Sequence, residues 1–213
     1  MTDNVPSPKT ERRAQAERDI LDAAWAVMAR EGVAALSVRE VARVVGLRQQ
    51  SLTYYFPTKQ DLLDALFADG FADLQRTFDQ LEATDDPVEG VVEVAVAYVD
   101  HCVANPAAYH LMFQGTIPGF EPSAASHRVA LAVLGVLIER LAAAGIAATG
   151  DIAIIRSVMS GVAAEQIAND PTGRSFANET PRAIRYLVSA LRREPSGPPT
   201  RSPRQTRRSR SVR

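Results

Sequence analysis

The stretch from Ser37 to Pro57 leaves the backbone few choices. Ser37-Val38-Arg39-Glu40 has the pattern of a capping box, in which the serine oxygen accepts the Glu40 N–H and the Glu40 side chain reaches back. Val38, Val41, Ala42 and Val45 recur at helical spacing and predict one apolar stripe. Gly46 breaks that helix, and a second short helix is expected from about Arg48 to Tyr55. Pro57 stops it, because proline lacks a donor and restricts the residue before it. Two short helices joined by a tight glycine turn are the geometry of a helix-turn-helix. On that geometry Leu52 and Phe56 face inward, while Arg48, Gln49, Gln50 and Thr53 face outward.

The remainder predicts an all-α chain, with no strand-like alternation and no long repeat. Helices are expected over 10–31, 58–81, 87–104, 106–114, 123–144, 150–169 and 179–193, with breaks at Gly32, "ATDDP", Asn105-Pro106, "GTIPGFEPS" and Gly145. The pattern divides into a helix-turn-helix unit over 10–57, with helix four starting it off to about residue 67, then a second unit over 68–193 and an Arg-rich tail over 194–213. The tail has one valine and no aromatic, so it is expected to be disordered. The net charge of −1 conceals strong segregation. Residues 192–213 carry +7 and residues 37–59 carry +3, against −10 over residues 60–191. The positive regions suit a polyanion and the acidic bulk does not.

Apolar residues make up 46% of the chain, enough for a real core, yet no run approaches the roughly 18 residues of a membrane span. The N-terminal residues lack the apolar core of a secretory signal, so a cytoplasmic protein is expected. A single cysteine, Cys102, excludes an internal disulfide and a cysteine-based zinc site. His101 and Cys102 are adjacent and diverge by roughly 100° on a helix, so they do not chelate easily together. No Gly-rich phosphate loop, HExxH, G-x-S-x-G or framed carboxylate pair is present, and neither an enzyme, a cofactor nor a metal is expected.

The polar groups of the second short helix point to DNA. Glutamine carries both donor and acceptor groups, as an adenine edge does in the major groove. Tyrosine and serine hydroxyls and a lysine suit phosphate contacts, which set the register of a helix on the duplex. The aromatic run Tyr54-Tyr55-Phe56 has the plainer reading of core packing.

Beyond these generic signals, "ILDAAWAVMAREGVAALSVREVARVVGLRQQSLTYYFPTKQDLLDALF", residues 20–67, resembles the N-terminal domain of the TetR family of transcriptional regulators. The specific parts are Ser37 before Val38, "VARVVG" and the L-x-Y-Y-F-P-x-K-x-D-L run, with the spacing between them. The resemblance implies that Ser37 caps helix two and touches phosphate, that Gln49, Gln50 and Thr53 form the base-reading face, and that Arg48 stands beside them among the DNA-binding residues. It implies that Ser51, Tyr54, Tyr55 and Lys59 bind the DNA backbone. Arg48, Gln50, Thr53 and Tyr55 depart from the residues most frequent at those places, which bears on the operator sequence rather than on binding.

The same resemblance implies that residues 68–193 bind a small-molecule effector and form a homodimer through the last two helices. "IAIIRSVMSGVAAEQIA" and "AIRYLVSAL" are apolar on more than one face, and Ser157, Ser160, Gly161, Ala163 and Ala164 permit close approach of another helix. "AYVDHCVANPAAYHLMF", residues 97–113, resembles one branch of TetR-type C-terminal domains and names no ligand. Candidate pocket residues are Phe67, Phe71, Tyr98, His101, Cys102, Tyr109, Met112, Phe113, Phe120, His127, Met159 and Gln166; each aromatic also has the simpler reading of core. The expectation is a homodimeric, DNA-binding repressor released by a small effector. A helical module answering to a protein partner, or an activator, is the alternative. The tail adds nonspecific DNA affinity or only solubility.

Overall fold

The computed structural model describes residues 7–115 and 117–194. Apart from Glu194, the tail expected to be disordered lies outside them. Every long element among the described residues is a helix: α1 (Pro8–Glu31), α2 (Val38–Val45), α3 (Gln49–Tyr55), α4 (Lys59–Asp79), α5 (Pro87–Ala104), α6 (Pro106–Phe113), α7 (Ala124–Ala143), α8 (Thr149–Asn169) and α9 (Thr180–Arg193). Single 3-10 turns at Val33–Ala35 and Ala177–Glu179 tighten two of the connections. The all-α expectation and the breakpoints agree with this order.

Local chemistry sets the ends. Ser7, Ser37, Thr58, Asp86 and Ser123 each cap a following helix by accepting a backbone N–H, and proline occupies the first turn of α1, α5, α6 and α9. The Ser37 capping box forms only in half. Ser37 Oγ accepts the Glu40 N–H at 3.2 Å, but the Glu40 carboxylate turns to Arg30 and Arg43 instead of reaching back. Two guanidiniums compete for that carboxylate more strongly than one backbone N–H. A complete capping box occurs one helix pair later, between Thr58 and Asp61.

Two apolar cores lie along the chain. The first joins α1 to α3 with the start of α4, around Ile20, Met28, Leu36, Val41, Leu52 and Leu62, and receives Ala107 and Leu111 of α6. The second joins the rest of α4 to α5 through α9, around Phe71, Val91, Leu141, Ile155 and Ile184. α4 belongs to both, as the rod on which the two are mounted. Gly70 allows a close approach midway along it, because a Cβ there would stand 2.6 Å from Met112 Sδ, with the Trp25 ring behind. Within the second core α5 is central, flanked by α7, α8 and α9, while α7 and α8 make no extensive contact with each other.

Candidate nucleic-acid interface and interior cleft

The α2–α3 pair is held by backbone chemistry before any side chain acts. Gly46 sits in the left-handed region (φ 76°, ψ 21°), where its N–H bonds the Arg43 carbonyl at 3.3 Å and the Leu47 N–H bonds the Ala42 carbonyl at 2.9 Å. These two bonds are a Schellman close, which turns the chain sharply into α3. Leu52 is completely buried and Phe56 nearly so. Together they pin one face of α3 and leave Gln49, Gln50, Ser51 and Tyr54 exposed on the other. Tyr54 is 65% exposed, unusual for a large ring.

The outward face is not uniform. The Thr53 hydroxyl bonds the Gln50 carbonyl at 2.9 Å and the residue is half-buried, so its methyl is better presented than its oxygen. Tyr55 is half-buried and meets Tyr54 edge-on at 5.3 Å. The Arg13 guanidinium of α1 lies 5.4 Å from the Tyr54 ring centre and 5.9 Å from that of Tyr55. Arg13 is itself held by Glu17 at 2.8 Å. A cation over two rings restricts both, so α1 helps aim the tyrosines. Arg48 precedes α3, exposed and without a capping bond, and Lys59 begins α4, also exposed.

A cleft of about 770 Å³ opens in the second core, in the gap between α7 and α8. Its floor is a stripe of α4, Phe67, Phe71, Leu74 and Phe78, at helical spacing. Tyr98 of α5 and Tyr109, Met112 and Phe113 of α6 close one end. Phe113 is the hub of the rings, 5.3 Å from Phe71, 5.2 Å from Tyr98 and 6.1 Å from Tyr109. The α7 wall presents His127, Ala130, Leu131 and Leu134, and the α8 wall Ala153, Arg156, Ser157, Ser160, Gly161 and Ala164. Burial holds the Tyr98 phenol far above its ordinary range, so it acts as a neutral donor.

The family model described as "Bacterial regulatory proteins, tetR family" matches residues 20–66, which are the two helices above with the second half of α1 and the start of α4. HTH-type transcriptional regulators of Mycobacterium tuberculosis and Mycobacterium bovis are 32% identical to this chain over 156 residues, 70% of the chain and 65% of their own length. Residues 20–66 are a tetR-family region. The chain spans just under two thirds of the length of these curated relatives. Solved structures of the same fold include the fatty acid degradation regulator FadR from Bacillus halodurans, with 17% identity, a TM-score of 0.65 and coverage of 87% of this chain and 96% of that one. A TetR variant from Acinetobacter baumannii in complex with minocycline has 19% identity, a TM-score of 0.61 and coverage of 84% and 97%.

Of the residues expected in the pocket, Phe67, Phe71, Tyr98, Tyr109, Met112, Phe113, His127 and Met159 line the cleft. Four expectations are corrected. Cys102 is completely buried behind Tyr98, and burial pushes its thiol up to about 12. His101 faces the opposite way, into a smaller polar cleft of about 430 Å³ between α1 and α4, with Nδ1 3.7 Å from Asp73. Phe120 packs between the two cores, 6.0 Å from the Phe67 ring, rather than in the cleft. Gln166 is completely buried and staples the α8–α9 connection: its amide donates to the Asp170 and Gly173 carbonyls and accepts the N–H groups of Phe176 and Ala177. The polar members that sequence reasoning missed, Gln114, Arg156, Ser157 and Ser160, lie on α8 or just beyond α6.

Proposed function

We propose that this chain is a sequence-specific DNA-binding regulator of transcription, acting as a homodimeric repressor that a small effector releases. The observation that carries the reading is the exposed face of Gln49, Gln50, Ser51 and Tyr54, fixed by a fully buried Leu52 and a Schellman turn. A helix so placed, with its N-terminal residues free, can enter a major groove. Gln49, Gln50 and Thr53 read base edges; Ser37, Arg48, Ser51, Tyr54, Tyr55 and Lys59 hold the phosphates on either side. Residues 10–57 form the reading unit and residues 68–193 the effector and dimer unit. The helical surfaces left apolar on α8 and α9, with Ile154 42% exposed and Tyr186 64% exposed, support pairing of two copies.

The cleft supports the effector half of the reading, because its volume and apolar walls with few polar groups are those of a small-molecule site. Its α7 wall is tied to the reading unit. The Asp64 carboxylate of α4 accepts the Ser123 N–H at 2.7 Å and the Ser126 hydroxyl at 2.8 Å, and so holds the N-terminus of α7. A ligand that prefers one separation of α7 and α8 thereby biases α4, which begins at Lys59. The shift it causes equals its differential affinity for the two states.

A footprint of the purified protein on DNA flanking its own gene tests the reading. A protected, pseudo-palindromic site with half-sites about 34–36 Å apart, or a multiple of that, is expected. Equal affinity for every flanking fragment and for random duplex would overturn it.

A further inference from the structure

We propose that the cleft is built for an amphipathic monoanion, an apolar body ending in a carboxylate. This rests on the reading of the cleft as the effector site and names the class of molecule it takes. Phenylalanine, leucine, alanine, valine and methionine make up most of the lining, and no Asp, Glu or Lys is among it. Most of the polar groups are already engaged with one another. Gln114 donates to the Tyr109 hydroxyl at 2.5 Å, Tyr109 donates to the Ser160 carbonyl at 3.2 Å, and Ser157 donates to the Ala153 carbonyl at 2.8 Å. The Tyr98 hydroxyl lies against Ser160 and Cys102.

Arg156 of α8 and His127 of α7 are the exceptions. Both line the cleft from opposite walls, both are exposed, and neither is held by a hydrogen bond or ion pair among the described residues. A guanidinium at the mouth of an apolar cleft, with no carboxylate in the wall, selects by charge. A cationic ligand loses hydration and meets repulsion, while a neutral one leaves the guanidinium without a charged partner. A carboxylate can take two parallel N–H bonds from it while its apolar body covers the α4 stripe. One permanent cation balances one negative charge, and the His127 imidazole can add a single further donor.

Three probes with one body and different heads separate the possibilities: decanoate, decan-1-ol and decylamine, titrated calorimetrically into the full chain at one ionic strength. Decanoate should bind at least about tenfold more tightly than the alcohol, the scale of one charge-assisted hydrogen bond, and the amine more weakly than either. Arg156→Gln should bring decanoate to the affinity of the alcohol and leave the alcohol unchanged, while Arg156→Lys should keep part of the preference. Circular dichroism of both variants, altered at an exposed position, should match the parent. Ala130→Trp supplies the control, since Ala130 lines the cleft half-buried on the α7 wall, away from α8 and α9, and an indole there takes up the ligand's space. It should abolish binding of all three. If the alcohol or amine binds as tightly as decanoate and Ala130→Trp blocks it, the anion assignment fails and the cleft stands. If no probe binds, or Ala130→Trp leaves binding untouched, the reading of the cleft fails with it.

Discussion

Gln49 and Gln50 stand at the start of α3 with nothing packed over them, and Tyr54 stands one turn on with its ring under Arg13. On the proposed reading, these positions separate base contacts from backbone contacts. Gln49→Ala or Gln50→Ala should cost about 1–3 kcal/mol per lost bidentate contact on the cognate site and little on random duplex. Tyr54→Phe keeps the ring and the Arg13 contact, so its affinity should fall by a similar amount on every sequence. Competition binding on the operator, on single-base variants and on random DNA at one fixed salt measures both. A uniform loss from the glutamine variants would reverse the assignment. His101 makes a prediction of another kind. Burial holds its imidazole below the usual value near 6.5, with Arg76 acting in the same direction and Asp73 against them. The unfolded chain therefore binds that proton more readily. The stability His101 contributes is complete above about pH 6.5 and declines as pH falls through the folded value. Melting curves from pH 8 to pH 5.5 should fall more steeply for the parent than for His101→Gln; parallel curves would clear His101. The exposure of the glutamines was legible because Leu52 and Phe56 take the inward face of so short a helix. His101 and Cys102 were not, since a helix turn decides which of Tyr98, His101 and Cys102 meets the cleft, and only the packing of α5 on its neighbours settles that.

At the level of elements, the reading unit was legible almost in full. Its signals are short-range: a serine cap, a valine stripe, a glycine at a left-handed turn and a proline stop all act within a few residues. Gly46→Ala should cost about 1–2 kcal/mol, the penalty of a Cβ in the left-handed region, because nothing lies within 4 Å to add a clash. Urea unfolding should show that loss as a lower midpoint at unchanged slope. The cleft was only half legible. Its floor and closed end come from aromatics crowded on α4, α5 and α6, which stand out in any reading. Its α8 wall comes from Arg156, Ser157 and Ser160, residues that a sequence also allows for a solvated face or a helix contact. No local rule brings α8 opposite α7, because α8 is placed by packing on α5 and α7 by packing on α4 and α5. The α4–α7 tie is long-range in the same way, since Asp64 and Ser123 are 59 residues apart. Hydrogen bonds from Ser123 and Ser126 outweigh burial and hold the Asp64 carboxyl below its usual range. Asp64→Ala should lower stability by about 1–2 kcal/mol, as the loss of a capping carboxylate does. It should also weaken the effect of a cleft ligand on DNA affinity more than it weakens ligand binding. Equal loss of both would place the coupling elsewhere.

Across the whole molecule, charge and apolar surface point in different directions. Residues 60–191 carry −10 and residues 37–59 carry +3, so the body is repelled by a duplex that the reading unit attracts. That asymmetry orients an approaching molecule before any base is read. On the proposed reading, the apolar surface on α8 and α9 sets how many reading units arrive together. Ile154 is 42% exposed on α8, away from the residues Ile155 and Met159 that enter the chain's own core. Ile154→Asp should leave helicity intact and shift sedimentation from dimer to monomer. Salt dependence counts the heads independently. Lys59 opens α4 beside the reading helix, and a phosphate contact there carries no sequence information. Each lost phosphate contact lowers the slope of log K against log salt by about 0.9, so Lys59→Ala should lower it by about 1.8 when two heads engage and by about 0.9 in the Ile154→Asp background. The loss should be equal on specific and random duplex. A slope that Lys59→Ala leaves unchanged would mean that α4 begins clear of the phosphates. A drop of about 0.9 in the parent would mean that one head binds alone and the apolar faces of α8 and α9 serve another partner.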